Sequence, residues 1–507
     1  MYTFKLIVLT VFSALTIQAN LIAQKSTILI KNVQLIDGTG AASFHAAVRI
    51  KGDIISQIGT LNALPNEEVI DGHGLVLAPG FIDSHSHHFG DLRRNPAGLS
   101  TSNQGITTII IGQDGDSYPM DSLTKFMKER PIVANVASYT GQAALRKQVM
   151  GEKNVYRKAS QAEIDRMKLI LKSELLKGAI GLSTGLEYEA AFYSTRDEVL
   201  QLAQVAADNN GRYTSHIRSE DIHMDDAIDE IIEIGRITKM PVQVSHIKIA
   251  KKEDWNKAGI ILKRLEKARA EGVNISADVY PYTFWNSTLR VLFPDKQFTS
   301  LQSAQFAVDQ LFDANESVVV TFAPNSSYVG KSLAAIAVQR KEQPAQTLMN
   351  LIQLASDFDE QYPDYKGSTE AIAGKSMNEQ DVIDFIQWPF ANICSDGNAG
   401  GHPRGYGAFT RVLGKYVREK KLMPLEKAIY KMTGMTADFL AIKDRGVITV
   451  GKKADLVLLN PSTVNDNATI NNSKVLSTGI EAVWVNGQIV YKAQKSTGKL
   501  PGVLLLK

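Results

Sequence analysis

The sequence predicts an α/β fold: a (β/α)8 barrel of the TIM type with a small β-sandwich domain formed from both chain ends. Three observations carry that prediction. Eight short apolar runs alternate with amphipathic helical text through the middle of the chain. Polar, chemically useful residues end several of those runs, which is where barrel active sites form. Alternating β texture marks the two ends instead.

Taken in order, residues 1–23 read as an export signal. Lys5 supplies positive charge, residues 6–17 are mostly apolar, and the small residues Ala19 and Ala23 follow. The apolar stretch is shorter than the ~20 residues of a spanning helix, so no stable membrane anchor is expected. The mature protein is therefore expected to be periplasmic or secreted, with cleavage after Ala19 or Ala23 fitting equally. The sole cysteine, Cys394, excludes an internal disulfide, and its apolar run PFANICSD favours a buried thiol over a nucleophile. A formal charge of +3 over 507 residues, with no basic stripe, argues against nucleic acid as a partner. At 44% hydrophobic, the chain can bury a large core.

Residues 24–78 form the first part of the sandwich. The runs ILIKNVQLID, AAVRIKGDIISQIG and EEVIDGHGLVL alternate with period 2 between Gly, Asp and Asn. The texture returns over residues 441–507 in GVITVGKKADLVLLN and GIEAVWVNGQIVYK, where Asn486-Gly487 is a hairpin signal. Residues 79–440 form the barrel. Its strand-like runs are LVLAPGFID, ITTIIIG, PIVANVASY, AIGLST, RYTSH, PVQVSH, VNISADVY and PFANICSD. Helical text follows most of them, as over residues 161–178, 195–209 and 255–271. A doubly wound open sheet is the competing architecture, and the polar strand ends favour the barrel. A stretch from about residue 294 to 382 interrupts the rhythm between the seventh and eighth runs and reads as an inserted lid or subdomain.

The strand ends carry the chemistry. His85 and His87 in DSHSHH share one side of a strand, making a two-imidazole clamp for Zn²⁺ or a similar ion. His88 faces away by the same alternation. His216 ends RYTSH and His246 ends PVQVSH, one βα unit apart. Either alone would pass for a buried structural histidine; together with His85 and His87 they suggest a metal centre. Asp396 ends ANICSD, where a carboxylate can move protons beside a metal or simply cap the next helix.

These residues resemble the amidohydrolase superfamily, and within it the N-acyl-D-amino-acid deacylase (D-aminoacylase) branch. The resemblance covers most of the chain and rests on APGFIDSHSH, GLSTGLEY, YTSHIRSE, VSHIK, DVYPYT, SDG, HPRGYGAFTRVLGKYVRE and GVITVGKKADLVLLNP, in that order. It implies the barrel with a sandwich from both ends, an insertion after the seventh strand, and one or two Zn²⁺ ions or another divalent metal. His85 and His87 would hold one position with Asp396 beside it, and His216 and His246 the other. The branch carries a bridging cysteine in a GNCG-like turn; here the turn is Gly112-Gln113-Asp114-Gly115, so Asp114 stands where the thiolate would be. Tyr188, Tyr282 and Arg404 match positions that surround the substrate carboxylate. Lys248, two residues past His246, shares its side of the chain; the alternative for Lys248 and Arg404 is pairing with surface acids. His402 is read as positioning its loop.

The expected activity is metal-dependent hydrolysis of the amide bond of N-acyl-D-amino acids, with Asp396 taking a proton from water and returning it to the leaving nitrogen. A dipeptidase acting on D-residue or isopeptide bonds, and a cyclic amidase of dihydroorotase or hydantoinase type, are the nearest alternatives. A non-catalytic binding protein is the remote one. The expected partner is a small N-acyl amino acid or dipeptide.

Overall fold

The computed structural model describes residues 27–507; the export signal read over residues 1–23 lies outside the described residues. Among the described residues, no helix is long and apolar enough to cross a membrane.

The N-terminal β text forms β1 (Thr27–Leu35), β2 (Phe44–Lys51), β3 (Ile54–Gly59), β4 (Glu68–Asp71) and β5 (Val76–Pro79). β2 runs antiparallel to β1 and β3, while β4 and β5 run parallel to β1. The run LVLAPGFID divides at Gly80. Its first half is β5; its second half opens the barrel as β6 (Phe81–Asp83). A Cβ at Gly80 would lie 2.3 Å from the Thr107 side chain, so the crossing between domains needs glycine.

The barrel continues with β7 (Ile106–Ile111), β8 (Asn135–Ser138), β9 (Thr140–Gly141), β10 (Gly181–Gly185), β11 (Arg212–His216), β12 (Val242–Val244) and β13 (Ile275–Val279). All adjacent pairs are parallel. β8 and β9 act as one strand interrupted at Tyr139. The helix Gln161–Leu176 shows how the pattern sets the layers. Ser160 and Glu163 form a reciprocal cap at its start, and Ile164, Met167, Leu171 and Leu175 recur on the face it buries.

After β13 the chain leaves the barrel. β14 (Phe284–Ser287), β15 (Val318–Phe322) and β16 (Glu370–Lys375) form an antiparallel sheet in the order β14-β16-β15. The insertion thus begins at Phe284, ahead of the sequence boundary near residue 294, because β14 follows the seventh strand almost directly. Helix Glu379–Gln387 returns the chain to the barrel, and β17 (Ala391–Ile393) pairs parallel with β13 as the eighth strand.

The seam between first and last strands is closed by site residues. The Asp396 amide donates to the His85 carbonyl at 2.9 Å, and the His87 amide donates to the Gly397 carbonyl at 3.0 Å. Beneath them, the Ser395 amide and hydroxyl donate to Asp83 at 2.8 and 2.5 Å.

The C-terminal text supplies β18 (Leu456–Leu459), β19 (Ile480–Val485), β20 (Gln488–Lys492) and β21 (Lys495–Ser496). β18 pairs antiparallel with β5, so both chain ends join in one nine-stranded sheet. That sheet encloses its own core, which includes Ile30, Val48, Leu77, Leu456 and Trp484.

Candidate metal centre

Four histidines and two carboxylates meet at the C-terminal ends of the barrel strands. The Nε2 atoms of His85 and His87 lie 3.4 and 3.3 Å from Asp114 Oδ2, and 3.5 and 3.2 Å from Asp396 Oδ1. His246 Nε2 lies 3.4 Å from Asp114 Oδ1 and 3.1 Å from His216 Nδ1. The two oxygens of Asp114 therefore face two different histidine pairs. Donor atoms within each set are no more than 4.8 Å apart.

Local backbone geometry aims these groups. Asp114, His246 and Asp396 all adopt left-handed conformations, with φ of 56°, 34° and 47°. Such conformations cost about 1–3 kcal/mol each outside glycine and are retained where surrounding structure enforces them. In the Asp114 turn, Gly112 and Gly115 are also left-handed, and a Cβ at Gly112 would meet the Tyr139 carbonyl at 2.2 Å. At His246 the amide donates to Asp278 Oδ1 at 2.6 Å, fixing the strand end.

A second layer holds the second pair. Glu187 Oε2 accepts from His216 Nε2 at 2.8 Å, leaving Nδ1 directed at the cluster. Glu220 Oε1 lies 3.0 Å from His246 Nδ1 and accepts from Lys248 Nζ at 2.5 Å. At His216 this is the carboxylate–histidine arrangement that fixes tautomer and ring orientation at metal sites, while His246 Nδ1 has Lys248 Nζ at 2.9 Å beside Glu220. Burial works against ionisation of Glu220, but His216, Lys248 and His246 outweigh it and hold the carboxyl well below its ordinary range. The first pair is more open: His87 keeps 37% of its side chain exposed, whereas His216 keeps 4%.

These residues fit a divalent cation. His85 Nδ1, His85 Nε2 and Asp114 Oδ1 are buried without a hydrogen-bond partner, which is costly unless something else engages them. Burial alone would push His87 and His246 down. The surrounding carboxylates reverse this and raise both to about 10, so the cluster draws in positive charge. Nitrogen and oxygen donors suit Zn²⁺ in this setting.

The two oxygens of Asp396 face different partners. Oδ1 faces His85 and His87, while Oδ2 takes Arg404 Nη1 at 2.6 Å. Arg404 is buried, lies over the Tyr280 ring at 4.7 Å and donates from Nη2 to the Asn286 carbonyl at 3.3 Å. Tyr188 packs against His216 with tilted rings, centroids 4.4 Å apart, and burial pushes its hydroxyl well up, so it stays a donor. Tyr188, Lys248, Asp396 and Arg404 all line a cleft of about 490 Å³, measured to its open mouth.

Tyr282 is not brought into that cleft. Its hydroxyl donates to Asp466 at 3.3 Å and Arg411 lies over its ring at 4.6 Å. Tyr280, two residues earlier in DVYPYT, occupies the place beside Arg404 and Lys248. His88 faces away, with its ring nitrogens on Ser86 Oγ and the Gly405 carbonyl. His402 Nδ1 accepts from the Arg404 amide at 3.0 Å, positioning that loop. Cys394 is fully buried, and burial with Asp278 nearby pushes its thiol well up, away from nucleophilic use. Glu187, Glu220, Asp278 and Tyr280 escaped the sequence reading. The four-residue spacing from His216 to Glu220 in HIRSE would bring side chains together only on a helix, and Glu220 stands on a loop, so it gave no signal.

A family model described as the amidohydrolase family matches residues 68–320 and 392–491. The chain is 31% identical to an N-acyl-D-glutamate deacylase of Alcaligenes xylosoxydans xylosoxydans, over 95% of this chain and 97% of that one. It is 29% identical to a D-aminoacylase of the same organism, over 96% and 98%. The crystal structure of N-acyl-D-glutamate deacylase from Bordetella bronchiseptica, complexed with zinc and a phosphonate inhibitor, superposes with a TM-score of 0.84 at 30% identity, covering 95% of this chain and all of that one.

Proposed function

The chain belongs to the amidohydrolase family, and from that premise we propose that it hydrolyses the amide bond of N-acyl-D-amino acids, releasing a carboxylic acid and a D-amino acid. The observation that carries this reading is the position of Asp396, with one oxygen against the His85/His87 pair and the other against Arg404. A proton-moving carboxylate thus lies between a metal cradle and a cation suited to a substrate carboxylate. The D-configuration follows the relatives, which are named for deacylating N-acyl-D-glutamate and D-amino acids.

His85, His87 and Asp396 would hold one zinc position and His216 with His246 the other, with Asp114 offering an oxygen to each. Zinc bound there supplies Lewis acidity toward the amide carbonyl and a water of lowered pKa. Arg404 and Lys248 grip the substrate carboxylate, Arg404 through its planar fork, and so fix the amide over the cradle. Tyr188 donates to charge developing on the carbonyl oxygen. Asp396 accepts a proton from the attacking water and delivers it to the departing nitrogen. Export guided by residues 1–23 belongs to the same proposal.

The test is a metal count paired with a substrate panel on purified protein: N-acetyl-D-amino acids, N-acetyl-L-amino acids, dipeptides and hydantoins. Turnover confined to the N-acetyl-D compounds, in zinc-loaded protein, is expected. Dipeptide or hydantoin turnover in its absence would move the assignment to a dipeptidase or cyclic amidase.

A further inference from the structure

The cleft over the metal cradle has a wall that the barrel does not supply. Trp285, Asn286 and Ser287 from β14, Val291 and Leu292 from the following turn, and Leu311 deeper in the insertion all line it, the uncharged polar pair beside the apolar four. Trp285, Leu292 and Leu311 are 8%, 1% and 3% exposed, so they present packed apolar surface rather than mobile tips.

Position along the substrate follows from Arg404. Its Nη2 is bonded to the carbonyl of Asn286, the residue after Trp285. A substrate carboxylate held by Arg404 therefore sits beside β14. The side chain of the amino acid leaves the same carbon as that carboxylate, and the apolar surface of the cleft within its reach is the wall formed by Trp285, Val291, Leu292 and Leu311. The acyl group lies on the other side of the amide nitrogen.

The charges of the cleft limit what that side chain can be. Apart from histidines, Lys248 and Arg404 are the only cationic residues lining it among the described residues, and both already face acids at 2.5 and 2.6 Å. A substrate α-carboxylate uses their remaining donors. A second carboxylate would find no cation, and would meet Glu187 and Asp221, which also line the cleft. Asp221 is itself pushed up to about 7, by burial and then by Glu187, as expected where negative charge is already in excess.

We infer that the side-chain subsite takes an uncharged apolar D-residue and rejects aspartate- and glutamate-type side chains, with Trp285, Val291, Leu292 and Leu311 as its specificity-determining residues. This rests on the deacylase reading above, and departs from the acidic substrate in the name of the N-acyl-D-glutamate relative. An ionised carboxylate moved from water to an unpaired apolar site is strongly disfavoured, so discrimination of roughly 100-fold or more in kcat/KM is expected.

The experiment compares kcat/KM for N-acetyl-D-leucine, N-acetyl-D-methionine and N-acetyl-D-phenylalanine with that for N-acetyl-D-glutamate and N-acetyl-D-aspartate. It is repeated on Val291→Arg, a half-buried position where a cation can be placed at the wall. Thermal melting and zinc content confirm that the variant is folded and loaded. Wild-type preference for the apolar compounds, shifted toward the acidic ones in Val291→Arg, is expected. Equal or better turnover of the acidic compounds by wild type overturns the inference alone. So does a folded, loaded Val291→Arg with an unchanged ratio. Absence of turnover on all five compounds overturns the deacylase reading itself, and the inference with it.

Discussion

The two histidine pairs differ in what stands behind them. Each histidine of the His216/His246 pair has its outward nitrogen against a carboxylate, Glu187 at 2.8 Å or Glu220 at 3.0 Å. In the His85/His87 pair, His85 Nδ1 reaches no closer than 4.0 Å to Asp278, and His87 is partly exposed. Outer carboxylates fix tautomer and raise ligand basicity. The His216/His246 position is thus built for rigid, tight binding, and the His85/His87 position for the proposed chemistry shared with Asp396. Asp114 couples the two.

The largest expected effect lies on the chemical side. Asp396→Asn keeps a side-chain oxygen toward His85 and His87 but cannot carry the proton. Steady-state kinetics should show kcat falling roughly 10³-fold, while metal analysis finds content near wild type. Retained turnover would remove Asp396 from its role.

The next contrast concerns buried carboxylates with and without a cation. Glu220 and Asp396 face cations and are held low, whereas Glu370 makes no ion pair among the described residues and is pushed up by burial to about 7. Its folded value lies above its ordinary 4.5, so its stabilising contribution is present below pH 4.5 and is lost as pH rises through 7. The loss is about 3 kcal/mol. Glu370→Gln, which can still accept from the Leu289 amide, should flatten the difference in denaturation midpoint between pH 5 and pH 8.

Glu220→Gln tests the buttress directly. It should weaken zinc at the His216/His246 position by about 10- to 100-fold, read by competition with a chromophoric chelator. Equal weakening at both positions would erase the distinction drawn between them. The smallest effect belongs to Tyr282→Phe. Losing the bond to Asp466 should cost about 1 kcal/mol of stability and leave kcat and KM unchanged.

The cradle was legible because strand alternation is a hard constraint: His85 and His87 share a side, and His216, His246 and Asp396 each end an apolar run. Its supports were not. Glu187 and Glu220 stand on loops, where no period says which way a side chain points. Asp and His are enriched among left-handed non-glycine residues, but that enrichment does not single out Asp114, His246 and Asp396 from the other residues of their types. Tyr280 and Tyr282 have equal claims in DVYPYT; only the contacts show that Asp466 and Arg411 take the second away. The insertion wall was opaque for a similar reason, since β14 follows the seventh strand after only a short turn.

Asp114 is the residue on which both proposed zinc positions depend, and X-ray absorption at the zinc edge reads its role most directly. Zinc-loaded wild type should show only nitrogen and oxygen neighbours, at about 2.0–2.2 Å. Asp114→Cys should retain zinc and add a sulfur neighbour at about 2.3 Å. Wild type that takes up no zinc, or a zinc-bearing Asp114→Cys without a sulfur neighbour, would contradict a shared Asp114 ligand.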